Sequence, residues 1–120
     1  MKLKEIMEVL KAEELWDFPT DFKVYSAGAA DLMSDVLMLA KENSLLLTGL
    51  TNTQVVRTAE MIDISAIVFV RGKRPESEVI ELAEKLDIPL LLTELPMYEA
   101  CGILYKHGIK GSSQVEILQK

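Results

Sequence analysis

"SLLLTGLTNTQVVRTAEMIDISAIVFV", residues 44–70, holds the reading that decides the fold. Ser44–Thr48 is short and apolar, as a strand covered on both faces must be. Ser65–Val70 is apolar, β-branched and aromatic, and is the clearest strand in the chain. Between them Val55, Val56, Ala59 and Ile62 fall on one face of a helix. A strand, a helix and a second strand in so short a span predict a crossover unit with two parallel strands.

The same rhythm continues on both sides. Downstream, Val79, Ile80, Leu82, Ala83 and Leu86 make a helical stripe. "IPLLLT", residues 88–93, reads as a strand with Pro89 at its entry, where a missing amide is tolerated. Met97, Ala100, Cys101, Leu104 and Tyr105 form the face of a last helix, which Lys106-His107-Gly108 should end. Upstream, Lys23–Ala27 is a modest strand candidate, and Leu32, Met33, Val36, Leu37 and Ala40 predict a helix over residues 31–41. Leu3, Ile6, Met7 and Leu10 give residues 2–12 an amphipathic helical pattern. Residues 13–22 read as irregular, with Pro19 arguing against continued helix and Trp16 and Phe18 expected to cover the sheet edge. The tail, residues 111–120, reads as a brief edge strand or a frayed end. The expected architecture is one α/β domain over residues 1–120. It has three α/β/α layers around a mostly parallel sheet of about four to five strands.

Composition bounds the function. The 120 residues carry a net charge of −6, which argues against a nucleic-acid partner. The single cysteine, Cys101, excludes an internal disulfide, and no spacing suits a metal site or calls for a cofactor. No apolar run reaches membrane-spanning length and the amino end lacks a signal core, so a cytoplasmic protein without membrane attachment is expected.

Ligands in such folds bind beyond the carboxyl ends of the strands, which leaves four turns to weigh. In "TGLTNTQ", Thr51 and Gln54 have capping-box spacing, and this structural reading is preferred over anion binding at Thr48 and Gly49. The Gly-Lys-Ser/Thr ending of a Walker loop is missing. In "SAGAADLMSD", Asp31 fits as an N-cap and Asp35 as a first-turn acid, and both would repel a phosphate. In "RGKRPESE", Arg71, Lys73 and Arg74 crowd together, with Pro75 suited to the first helical position. This is the best ligand candidate, although bases pairing with nearby acids would explain it equally. The fourth turn, "TELPMYE", contributes Glu94. His107 complements a helix end, and Cys101 reads as a core residue. No nucleophile and base stand together, so no catalytic residue is assigned.

Three stretches together resemble the DRTGG domain family: "DLMSDVL", "LLLTGLTNTQVVRTAEM" and "AIVFVRGKRPESEVIELAEKLDIPLLLTELPMYEACGILYKHGI". The likeness runs from about residue 2 to residue 110. The glycine and proline after the third strand, then "IPLL-T", then an aromatic-bearing last helix, are also similar to the amino-terminal domain of HPr kinase/phosphorylase. The string Asp-Arg-Thr-Gly-Gly does not occur, so no role tied to it transfers. The resemblance implies an α/β domain without established catalysis, found beside CBS domains and in front of some phosphotransacetylases. In the kinase relative, phosphoryl transfer belongs to a separate P-loop domain.

The expectation is therefore a non-catalytic regulatory domain that acts as a homodimer and through a CBS-domain, kinase or other regulatory partner. A nucleotide or phosphorylated metabolite would bind at Arg71, Gly72 and Lys73, with Thr48, Gly49 and Asn52 contributing. The alternatives are a small enzyme acting on a phosphorylated or acidic metabolite, using Asp31, Glu94 or Cys101, and a ligand-free scaffold.

Overall fold

The computed structural model describes residues 1–39 and 43–111. In chain order the elements are α1 (Leu3–Leu10), β1 (Glu13–Glu14), β2 (Ser26–Ala29), α2 (Met33–Leu39) and β3 (Ser44–Thr48). They continue with α3 (Thr53–Met61), β4 (Ala66–Phe69), α4 (Ser77–Lys85), β5 (Leu90–Leu92) and α5 (Met97–Lys106). The sheet has five strands in the order β1-β5-β4-β3-β2. Strands β2 to β5 are parallel, and β1 closes one edge antiparallel to β5 through Glu13–Leu92 and Glu14–Leu91.

The period of two along each strand divides the core. Leu45 and Leu47 of β3 and Val68 of β4 face α1 and α5, where they pack with Leu3, Ile6, Leu10, Ala100 and Leu104. Leu46, Ile67 and Phe69 face the opposite layer, where Val36, Val55, Val56, Ala59, Val79 and Ala83 cover them. Every residue of β3 and β4 is buried. Burying one Leu, Val or Phe side chain contributes about 1.5–3 kcal/mol, so these two strands anchor both layers.

Several local expectations change. The strand expected at Lys23–Ala27 is β2 at Ser26–Ala29, because Lys23 bridges Lys2 and Val24 donates its amide to the Met1 carbonyl at 2.7 Å. The segment 13–22 is not wholly irregular, since it contains β1, whose two exposed glutamates carry no apolar alternation. Trp16 does cover an edge, donating from Nε1 to the Ile88 carbonyl at 2.8 Å and meeting Phe18 edge to face at 5.2 Å. Among the α2 residues whose burial is described, only Val36 is fully buried. Leu32 and Leu37, expected on the apolar face, are 64% and 51% exposed, because this helix lies over the outermost parallel strand. Ala40 lies outside the described residues. Tyr105 of α5 is also exposed.

Helices α3 and α4 end alike. Asp63 and Asp87 adopt left-handed φ of 57° and 64°, and Ile64 and Ile88 then donate to the Ala59 and Ala83 carbonyls. Both isoleucines are buried, the pattern of a Schellman ending with aspartate in the place usually taken by glycine. The end of α5 follows the sequence reading, with His107 as cap and Gly108 at φ 98°. Beyond it Lys110 pairs with Ser26, and the rest of the expected tail strand, residues 112–120, lies outside the described residues.

Candidate functional site

The connections after β4 and β5 diverge: α4 packs on one face of the sheet and α5 on the other. Such divergence opens a crevice at the carboxyl ends of the two strands. Here the chain closes it. Arg71 and Gly72 have consecutive left-handed φ values of 61° and 64°. Their amides donate to the carbonyls of Leu95 at 2.9 Å and Thr93 at 2.8 Å. Gly72 is favoured by its left-handed φ, and a Cβ there would also displace the flexible Glu94 carboxylate. Among the described non-glycine residues with positive φ, Arg71 is the one that follows a strand. Left-handed backbone at such a residue costs about 1–2 kcal/mol, offset here by the two cross-loop hydrogen bonds.

The Arg71 side chain reaches back over the turn after β3. A Cβ on Gly49 would lie 2.9 Å from Arg71 Nη2 and 3.5 Å from Asp31 Oδ1, so the guanidinium and the carboxylate flank one buried glycine. Asp31 is not the N-cap of α2 that its spacing suggests. Its Oδ1 accepts from the Gly49 amide at 2.8 Å and from the Thr48 hydroxyl at 3.2 Å. These are the donors that the sequence offers to an anion, and a carboxylate of the chain already holds them. Asp31 and Glu94, weighed in sequence as possible acids, are both exposed and lie against this turn as acceptor and cover.

Asn52 also has a different part. The capping box expected from Thr51 and Gln54 is replaced by Asn52, whose Oδ1 accepts from the Val55 amide at 3.2 Å, with α3 starting at Thr53. Asparagine in the β region is a strong N-cap, and its shorter reach to the third amide prevails. Pro75 does not open α4. It is buried one residue before the cap position, Glu76. The basic cluster separates as well, since Arg74 pairs with Glu13 of β1 at 2.7 Å. Both partners of that pair are half-exposed, so its contribution is below about 1 kcal/mol.

Lys73 lines a cleft of about 390 Å³ between the amino ends of α3 and α4, together with Leu50, Thr51, Asn52, Glu76 and Glu78. The structure thus sorts the six candidate residues into two adjoining sets. Thr48, Gly49, Arg71 and Gly72 surround the carboxylates of Asp31 and Glu94, whereas Asn52 and Lys73 line the open cleft. The sets join at Leu50, whose amide donates to the Thr48 hydroxyl at 3.1 Å. Cys101, on α5, lies outside both sets, and burial pushes its thiol up, so it stays protonated at neutral pH. Among the described residues no His, Cys, Asp and Glu group together in a way that holds a metal, and no helix is long and apolar enough to cross a membrane.

The profile of the DRTGG domain matches residues 5–106, most of the chain. The chain belongs to the DRTGG domain family. Among solved structures this DRTGG chain is similar to the CBS and DRTGG domains of the regulatory region of Clostridium perfringens pyrophosphatase, complexed with its activator diadenosine tetraphosphate. The TM-score is 0.68 at 20% identity, over 86% of this chain and 45% of that one. The chain therefore spans less than half the length of that regulatory region, and at this identity the likeness shows the fold. No curated protein gives a significant sequence match.

Proposed function

We propose that this DRTGG domain is a non-catalytic regulatory module that senses a nucleotide in the cleft between α3 and α4, and that it works as a homodimer with a regulatory partner such as a CBS-domain protein or a kinase. The observation that carries this reading is the mixed lining of the cleft. Lys73 and the free amides at the start of α3 suit a phosphate. Glu76 and Glu78 share the same space and would repel a bare anion. A ligand that satisfies the whole lining offers donors on its other side, as ribose hydroxyls or an exocyclic amine do. The cleft volume of about 390 Å³ lies within the range for small-molecule sites. The activator bound by the pyrophosphatase region supports the same ligand class. Kinship with the amino-terminal domain of HPr kinase/phosphorylase is part of this proposal and rests on the sequence pattern alone.

Arg71 then serves as a reserve cation outside the cleft lining, its guanidinium lying over Gly49 on the neighbouring turn. Asp31, Glu94 and Cys101, the groups the enzymatic alternative relied on, do not line the cleft, which supports the regulatory reading. Thermal-shift measurements with mononucleotides, dinucleoside polyphosphates and inorganic phosphate test the proposal. A nucleotide at a hundredfold excess over its dissociation constant should stabilise the protein by about 2.7 kcal/mol, inorganic phosphate by far less. Lys73→Ala should weaken the nucleotide effect about tenfold or more. A nucleotide that stabilises Lys73→Ala as well as the unaltered chain sinks the site. No stabilisation by any of the panel favours the scaffold reading.

A further inference from the structure

Helix α5 presents a second surface, remote from the cleft. An open groove of about 730 Å³ runs along its outer face, lined by Leu95, Tyr98, Glu99, Gly102, Tyr105 and Lys106 among others. Tyr98 is 86% exposed and Tyr105 45%, an unusual outlay of aromatic surface in so small a domain. Gly102 lies mid-stripe, and a Cβ there would meet nothing within 4 Å. Glycine in a helix interior costs about 1 kcal/mol relative to alanine, and among the described residues neither a turn nor a close neighbour requires it here.

The arrangement around Gly102 is symmetric in kind. At 3.6 residues per turn, Tyr98 and Tyr105 lie on one flank of the glycine and Glu99 and Lys106 on the other. Within each flank the two residues are seven apart, one before Gly102 and one after it. We propose that this face binds a second copy of the chain, with the two α5 helices packed antiparallel across a two-fold axis at Gly102. That axis keeps each flank on its own side. Glu99 of each copy then meets Lys106 of the other, Tyr98 meets Tyr105, and the two glycines let the backbones approach at the crossing. A parallel pairing would set the charged flank against the aromatic one, so charge complementarity selects the antiparallel arrangement. Lys110 fits this picture, because its Nζ lies 3.8 Å from the centroid of the Tyr105 ring and orders that side chain at the edge of the groove.

The assignment deepens the homodimer in the proposed function and rests on that part of it. One helical face is smaller than a standard interface, so the association is concentration-dependent. Sedimentation equilibrium of the full chain should show a monomer–dimer equilibrium. Glu99→Lys or Lys106→Glu alone should weaken it about tenfold or more, since each change sets like charges together twice by symmetry. The combined exchange, Glu99→Lys with Lys106→Glu, should restore the original affinity. Gly102→Gln should abolish the dimer while circular dichroism and thermal unfolding show a folded monomer. A dimer indifferent to both single charge changes rejects this face and leaves self-association standing. Failure of the combined exchange to restore affinity rejects the antiparallel register. A monomer at every accessible concentration overturns both the face and the homodimer.

Discussion

Residues 45–50, LLLTGL, and residues 90–95, LLLTEL, flank the central strand β4 and turn alike at their threonines. In both, the buried threonine hydroxyl accepts from the amide two residues on, at 3.1 Å for Thr48 and 3.3 Å for Thr93. What each hydroxyl donates to differs. Thr93 donates at 2.7 Å to the carbonyl of Leu10, one of the last carbonyls of α1, and so ties that helix to the sheet inside the core. Thr48 donates to the Asp31 carboxylate on an exposed residue. The same local chemistry serves as a fixed joint at one edge of β4 and as a surface contact, open to exchange, at the other. The residue that follows each threonine completes the difference: Gly49 leaves room for Arg71, whereas Glu94 lies across Gly72.

Substitution tests this contrast most strongly at the threonines. Thr93→Val strips the Leu10 carbonyl of its partner in a dry site and should lower the unfolding free energy by about 1–3 kcal/mol in urea titration. Thr48→Val should lower it by less than about 1 kcal/mol, because water can replace its partner at the exposed carboxylate. Equal losses would mean that the two turns are equivalent. Next in size, Gly72→Ala should cost about 1–2 kcal/mol from its left-handed backbone alone and should displace Glu94. A neutral Gly72→Ala would show that the left-handed backbone at this position carries no strain. The smallest effect is expected from Gly49→Ala. It need only push aside the flexible end of Arg71, for a loss below about 1 kcal/mol, and it should shift the Arg71 side-chain signals in NMR spectra. Unchanged signals would separate Arg71 from Gly49.

Much of the fold was legible because β3, β4 and β5 are nearly continuous apolar runs and the helices between them carry clear stripes. The edges were not. Glu13 and Glu14 pair as a strand through backbone groups alone, and Ser26–Ala29 is small and only partly buried, so it carries no apolar signal. The left-handed helix ends at Asp63 and Asp87 carry no glycine to mark them. At the candidate site the turns were found but their internal partners were missed. Asp31 reaches Gly49 across the neighbouring strand, a contact that no local spacing encodes. The repeated LLLT-x-L frame was the signal available for the threonine turns, and only comparison of the two strands brings it out.

The order of the sheet carries a consequence for how the molecule comes together. From β2 to β5, neighbours in the sheet are neighbours in the chain, each pair joined by one helix, so every one of those closures spans a short loop. The pairing of β1 with β5, the packing of α1 on α5 and the bond from Thr93 to Leu10 join distant parts of the sequence. Loop-closure entropy grows with length, so the expected order of folding zips the parallel strands first and docks the amino-terminal helix last. Thr93 is then the latch that this final step engages.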